Sequence, residues 1–513
     1  MPEESRRGGQ KGRPFFLHLP RLHKRWIFRI STILLVFLPL LLIEAALRIL
    51  SPKWLEPNFD PLVGFSSNQP LFELNPTNAT FRIRKNQLRS FAQNTFPHKK
   101  SRDTFRIFCL GGSTVQGRPY SIETSFTSWL RLALQTQHPE KKFEVINCGG
   151  VSYASYRLVP VLQECLNQYD PDLILICTGN NEFLEDRSYR FTKKFAPSLD
   201  PVLRFARSSR LIQSVISLAN HNRSSDTPHS TLDGQVNAML DYERGIERYH
   251  RNEAWQTSVK DHFRLNIHRM LRICNDRRVP VMLVSPCFNL KDSPPFKSEA
   301  SKTLDKEASQ KWKSHLKAAS DNMRDDLDKA IAQLQKALSI DKGYAATWYA
   351  LGQAYLQKSH FQKAKQCFQQ ALELDVCPLR VNTALRATLK QAAKNWSVLF
   401  YDLQELAAED STLGIVGNEF LIDHVHPTIR GHQRIGIELA RRIQSHWLES
   451  NPESNPELNL EKEVETVFSE HLSSIPSVYY LIGMERLKGL KAWTQGRAEG
   501  SPIENHPDIP DGI

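Results

Sequence analysis

No two of the eight cysteines in this 513-residue chain are spaced C-x-x-C. Cys109, Cys148, Cys177 and Cys287 lie in or beside apolar runs, where cysteine acts as a small buried hydrophobe. Cys367 and Cys377 are ten apart. On one helix they would sit about 15 Å from each other, too far to bridge. Free thiols are therefore expected, with neither a disulfide framework nor a cysteine-ligated metal. The chain also lacks an acidic excess, since its formal net charge is +12. Half of that excess falls in residues 1–29, where eight Arg and Lys face only Glu3 and Glu4. No basic stripe interleaved with aromatics follows, and no helix-turn-helix or zinc-finger spacing, which argues against a nucleic-acid partner. A hydrophobic share of 40% and a charged share of 24% exclude collagen-like, wholly disordered and multi-span membrane classes.

Long apolar runs are scarce as well. Residues 30–43 are uncharged, but 14 residues make a helix of only about 21 Å, against a bilayer core of roughly 30 Å. Extension to 26–50 gives sufficient length, with Arg29 snorkelling at one end and Glu44 and Arg48 placed to pair at the other. A signal anchor, a cleaved signal peptide and a buried core helix are the three readings. The small-x-small pattern of a cleavage site is missing after the run, which favours the anchor. Basic charge ahead of the span would keep the N-terminus in the cytoplasm and place Ser51 onward outside. The expected location is a single-pass protein of the cell membrane with the domain that follows the span extracytoplasmic (periplasmic).

Beyond a stretch rich in Pro, Asn and Phe, short apolar runs alternate with amphipathic ones. The runs at 105–110, 143–147, 173–177, 279–284 and 398–401 read as strands. Helical patterns occupy about 123–138, the segment up to Tyr169, 262–277 and 431–447. Continuous apolar strands separated by helices imply a parallel sheet covered on both faces, with chemistry at the carboxyl ends of the strands. Between the fourth and fifth strands, Trp348, Leu351, Gly352, Tyr355, Ala364, Phe368 and Ala371 follow the 34-residue tetratricopeptide spacing. Ala330, Leu334 and Ala337 fit the second helix of a degenerate preceding repeat. The insertion reads equally as a helical hairpin packed on its host domain or as a surface for a protein partner. Past residue 447, two short helices are expected within 464–490.

Four polar clusters fall at the ends of the expected strands. They are Gly111-Gly112-Ser113, Asn147-Cys148-Gly149-Gly150-Val151-Ser152, Gly179-Asn180-Asn181-Glu182 and Asp423-His424-Val425-His426-Pro427. If these loops converge they supply a nucleophile, a base, an acid to orient it and oxyanion donors. Asp423, His424 and His426 are also metal-ligand types, but no further cluster completes a shell.

With Ser, Gly, Asn and Asp-x-x-His in four separated blocks, the chain resembles the SGNH (GDSL-like) hydrolase superfamily over about 104–290 and 378–447. The resemblance implies a flavodoxin-like three-layer α/β/α domain, interrupted here by the α-helical TPR-like insertion. It also implies Ser113 as nucleophile, His426 as general base, Asp423 as its orienting acid and Asn181 as oxyanion donor. Two departures stand out: Gly-Gly-Ser replaces the usual Gly-Asp-Ser, and Ser152 stands where the family glycine usually sits, with Gly150 as the alternative donor. Glu182 replaces the usual aspartate after Asn181, and the longer side chain is expected to reshape the pocket; His424 is expected to point away from it.

The organisation so read is a basic tail at 1–25, a transmembrane segment at 26–50, a linker at 51–100, the hydrolase domain in two parts (101–300 and 379–447), the insertion at 311–378 and a C-terminal extension at 448–513. The expected function is a membrane-anchored serine esterase acting on acyl or O-acetyl esters outside the cytoplasmic membrane, with no cofactor and no metal. An O-acyltransferase that modifies envelope glycans and a non-catalytic tetratricopeptide scaffold are the alternatives. Its partners would be an acyl ester, with acylated saccharide one case, the membrane through one helix, and a protein at the helical hairpin.

Overall fold

The computed structural model describes residues 35, 38–46, 60, 63–65, 69–186, 230–448 and 460–494. The chain divides into two compact units, 1–57 with 195–227, and 58–194 with 228–513. In the first, the described residues 38–46 are helical and Leu38, Leu40, Leu41, Leu42 and Ile43 are exposed. Among the described residues no helix is long and apolar enough to cross a membrane. Most of the 26–50 span lies outside the described residues.

In the second unit the elements run β1 (Val63–Phe65), β2 (Phe72–Asn75), β3 (Thr80–Ile83), β4 (Thr95–Pro97), β5 (Thr104–Gly111), α1 (Ser113–Gln116), α2 (Phe126–Gln137), β6 (Lys142–Gly149), α3 (Ser155–Gln168), β7 (Leu173–Cys177) and β8 (Ser230–Leu232). They continue as α4 (Glu253–Asp276), β9 (Val281–Ser285), α5 (Lys306–Asn322), α6 (Leu327–Ile340), α7 (Ala345–Gln357), α8 (Phe361–Glu373), α9 (Thr383–Trp396), β10 (Leu399–Asp402), α10 (Leu403–Glu409), α11 (Ile429–Ile443), α12 (Leu460–Ser473) and α13 (Ser477–Thr494).

Five strands form one parallel sheet in the order β10-β9-β7-β5-β6. Numbered by appearance within the sheet this is 2-1-3-4-5, the flavodoxin-like order, and its switch point lies between the first and third strands, β5 and β7. Strands β7 and β9 are buried at every position because both faces of the sheet are covered. Side chains alternate across a strand, so Phe108 and Leu110 face a core shared with Leu162 of α3, Phe263 of α4 and Leu385 of α9. Ile107 and Cys109 face the opposite core, with Trp129 of α2, Leu406 of α10 and Leu439 of α11. All eight cysteines are buried free thiols.

Three regions position the site and differ in legibility. Residues 71–97, expected as part of a linker, instead hold β2, β3 and β4 in an antiparallel sheet. Phe72, Phe81 and Phe96 from these strands pack round Tyr169, with ring centroids 4.6–5.4 Å apart. Strands of three or four residues leave too short an alternation to read in advance. The insertion forms two helical hairpins, α5–α6 and α7–α8, and Leu351 and Phe368 join the same core as β5. Tyr349 Oη and Gln353 Nε2 donate to the Lys291 carbonyl at 2.7 and 2.8 Å, which fixes the second hairpin to the loop after β9. Helix α12 packs Phe468 against Trp129 of α2, the rings tilted at 52° with centroids 4.7 Å apart, and α13 follows it back to the turn after α1, where Tyr479 meets Ser121.

Candidate functional site

Strand β5 ends at Gly111, and Gly112 precedes the short helix α1 whose first residue is Ser113. A Cβ on Gly112 would come within 2.5 Å of the Asn181 amide nitrogen, so the absence of a side chain at 112 lets the Asn181 amide lie against the turn that carries Ser113. At the other end of the chain, Ile422 N–H donates to the His426 carbonyl at 2.8 Å, and Leu421 bridges Pro427. Within that tight loop Asp423 Oδ1 accepts the N–H groups of Val425 and His426, each at 2.8 Å, the local carboxylate-to-backbone pattern of an Asx turn. The fold carries this loop to the end of β5. His426 Nε2 lies 2.7 Å from Ser113 Oγ, and His426 Nδ1 lies 2.7 Å from Asp423 Oδ2.

His426 and Asp423 are both buried. Burial by itself raises the Asp423 pKa, but the charges of His426 and then His424, with hydrogen bonds from His426, reverse the effect. The carboxyl is held well below the ordinary carboxylate range. Asn289, on the loop after β9, donates from Nδ2 to the Asp423 carbonyl at 3.1 Å and from its backbone to the His424 carbonyl at 2.9 Å. Arg380 in turn donates to the Asn289 and Ser293 carbonyls at 2.9 and 2.7 Å. Asn289 and Arg380 therefore position the loop that carries Asp423 and His426. No motif marks either of them in the sequence.

In the second block three of four consecutive backbone N–H groups are already committed. Gly150 donates to Gly111, Val151 to Ser90 and Tyr153 to Gly150, at 2.8–3.1 Å. Ser152 N–H has no partner among the described residues; Ser152 has a left-handed backbone (φ 63°) and lines the cavity beside Ser113. Gly150, the alternative donor, is thus corrected by its ladder bond. Asn181 lines the same cavity, with Nδ2 donating to the Tyr153 carbonyl at 3.0 Å.

Two expectations about neighbouring residues change. Glu182 does not line the cavity; its carboxylate accepts the Ser155 N–H and hydroxyl at 2.7 and 3.0 Å and so caps α3. His424 lines the cavity rather than pointing away, edge-on to Phe296 with ring centroids 5.0 Å apart. Burial lowers its pKa to about 4; Asp423 opposes the shift, and His426 and Arg380 add to it. His424 is neutral near neutral pH.

The cavity measures about 150 Å³ and its remaining wall comes from unexpected places. Arg118 and Pro119 follow α1, Leu184 and Leu379 flank the third block and the end of the insertion, and α13 supplies Arg486, Leu490 and Trp493. Sites for drug-sized ligands run to roughly 300–1,000 Å³, so this cavity is a small one.

The tetratricopeptide repeat family matches residues 345–375, and a TPR repeat description matches 324–359. Both lie in the insertion, outside the segments that carry Ser113 and His426. No curated protein sequence matches the chain. Solved structures to which the chain is similar include a protein assigned to the G-D-S-L lipolytic family from Desulfitobacterium hafniense, 10% identical at a TM-score of 0.28, which covers 66% of this chain and 98% of its own. An acetylxylan esterase from Geobacillus stearothermophilus is 14% identical at a TM-score of 0.30, covering 68% of this chain and 97% of its own. An α/β hydrolase from the Lake Arreo metagenome is 12% identical at a TM-score of 0.31, covering 67% and 97%. At such scores the likenesses assign neither activity nor substrate to this chain.

Proposed function

We propose that the chain is a serine esterase of the SGNH type that works through an acyl-enzyme. The observation that carries this reading is the unbroken relay from Ser113 Oγ to His426 to Asp423, with both links at 2.7 Å. A neutral His426 accepts the Ser113 proton at Nε2 as Oγ attacks the ester carbonyl. Asp423 holds the ring by Nδ1 and stabilises the imidazolium that forms. The developing oxyanion is taken by Ser152 N–H and the Asn181 amide, donors fixed before the reaction begins. Proton return from His426 releases the alcohol. Water, activated by the same ring, then frees the acid. The small cavity supports a short acyl group, O-acetyl among them. Both His426 ring nitrogens are engaged in the relay, which supports this reading over metal ligation.

We also propose that residues 26–50 anchor the protein in the membrane with the catalytic unit outside, a reading supported by the basic residues that precede the span. The repeats in the insertion are the part of the chain suited to a protein partner.

A fluorophosphonate probe should label Ser113 and nothing in the Ser113→Ala protein. That variant should lose turnover of p-nitrophenyl acetate by about 10⁴–10⁶-fold, with an unchanged thermal midpoint, because one hydroxyl goes and no core group does. Retention of about a tenth of the activity would remove Ser113 from the nucleophile's role.

A further inference from the structure

The cavity beside Ser113 carries two guanidinium groups and no carboxylate. Arg118 enters from the turn after α1, Arg486 from α13, and no Asp or Glu is among the lining residues. Each arginine is held in place by a neutral acceptor: Arg118 Nε donates to Gln116 Oε1 at 2.6 Å, and Arg486 Nη1 to the Tyr120 carbonyl at 2.9 Å. Most of their donors are left unspent, and neither arginine forms an ion pair among the described residues. The helix that brings Arg486 is itself pinned. Tyr479 Oη accepts the N–H groups of Ser121 and Thr124 at 3.0 and 3.2 Å, and Trp493 Nε1 donates to Asp241 at 2.7 Å. Burial, and then the nearby charge of Arg486, push the Arg118 pKa down to about 10. Two like charges brought together without a counter-charge cost stability, and an anion placed between them would offset that cost with charge-assisted hydrogen bonds.

We propose that Arg118 and Arg486 form an anion-recognition subsite, so that the ester taken at Ser113 carries a carboxylate or another negatively charged group. The proposal rests on the acyl-enzyme reading of Ser113 and adds the substrate's charge to it. Arginine suits the task because its planar fork meets a carboxylate with two parallel bonds.

Two matched probe pairs separate the places where the charge could sit. The first is 4-acetoxybenzoate against its neutral methyl ester, with the charge on the alcohol part. The second is the mono-4-nitrophenyl ester of adipic acid against its methyl diester, with the charge on the acyl part. In one pair the full-length protein should favour the anionic ester by about tenfold or more in kcat/KM at low salt, as expected for a charged hydrogen bond. The preference should shrink as sodium chloride is added. Arg486→Gln should remove most of it through KM, and Arg486→Lys should restore part. The same preference should appear as binding of 4-acetoxybenzoate or the adipate ester to the Ser113→Ala protein by calorimetry. That measurement tests the subsite even if Ser113 proves unlabelled and the esterase reading fails. Equal rates and equal affinities in both pairs would overturn the proposal. So would a preference that survives both Arg486→Gln and Arg118→Gln.

Discussion

Asp423 and His432 show how burial sets the behaviour of single residues here. Asp423 is an acid whose folded pKa is depressed. Its contribution to stability is complete above the unfolded value of about 3.9 and is lost only as pH falls through the lower folded one. At neutral pH that contribution is fully present, and the carboxylate also matters for turnover. Asp423→Asn keeps the size of the side chain but removes the charge behind His426, and should lower turnover by about 10³–10⁴-fold while Ser113 stays in place. His432, on α11, accepts the Phe126 N–H at Nδ1 (3.1 Å) and is fully buried. Burial, with the charge of His426 added, lowers its pKa to about 3, and that of His424 is lowered to about 4. A histidine near 6.5 when unfolded then binds more protons in the unfolded state, so stability falls as pH drops below about 6.5. At pH 5 each of the two should cost about 2 kcal/mol. Thermal midpoints measured from pH 7.5 to 5 should show this decline, with a shallower slope in His432→Asn whatever its midpoint at pH 7.5.

Helix α13 converts a surface crevice into a walled cavity, and Gly483 is what lets it do so. A Cβ at this position would come within 2.1 Å of the Tyr120 ring, so Gly483→Leu forces the helix off its seat. Overpacking of this kind costs about 1–3 kcal/mol, and the displaced wall should raise KM several-fold while kcat changes less. Steady-state kinetics, with hydrogen exchange over 477–494, would read both effects; an unchanged KM would mean that α13 is not part of the binding wall. The sequence shows two helices in this region but not their destination. Arg486 meets the Tyr120 carbonyl 366 residues away, and no local periodicity encodes a contact at that separation. The sheet strands are legible for the opposite reason. Leu173–Cys177 and Val281–Ser285 are buried at every position, and a continuous apolar run is a local signal. Ser113, Asn181, Asp423 and His426 are legible because each stands in a short polar block directly after such a run or before a helix. Asn289 and Arg380, which only hold backbone carbonyls, leave no such trace.

At the scale of the whole molecule, the arrangement across a membrane is the expectation most open to experiment. A reporter active only outside the cytoplasm, fused after Ile513, should be active, and protease added to spheroplasts should remove the catalytic unit but leave the basic tail. Recovery of Ser113 on the cytoplasmic side would end the anchor reading. Another consequence follows from the span of the relay, whose two ends, Ser113 and His426, are 313 residues apart. Synthesis at about 5–20 residues per second puts about 15 to 60 s between them. For that interval a nascent chain carries the serine without its base, and the α13 wall is made later still. On the proposed mechanism hydrolysis begins only after His426 and α13 have been made, and a message cut short before codon 423 should yield a product inert towards esters.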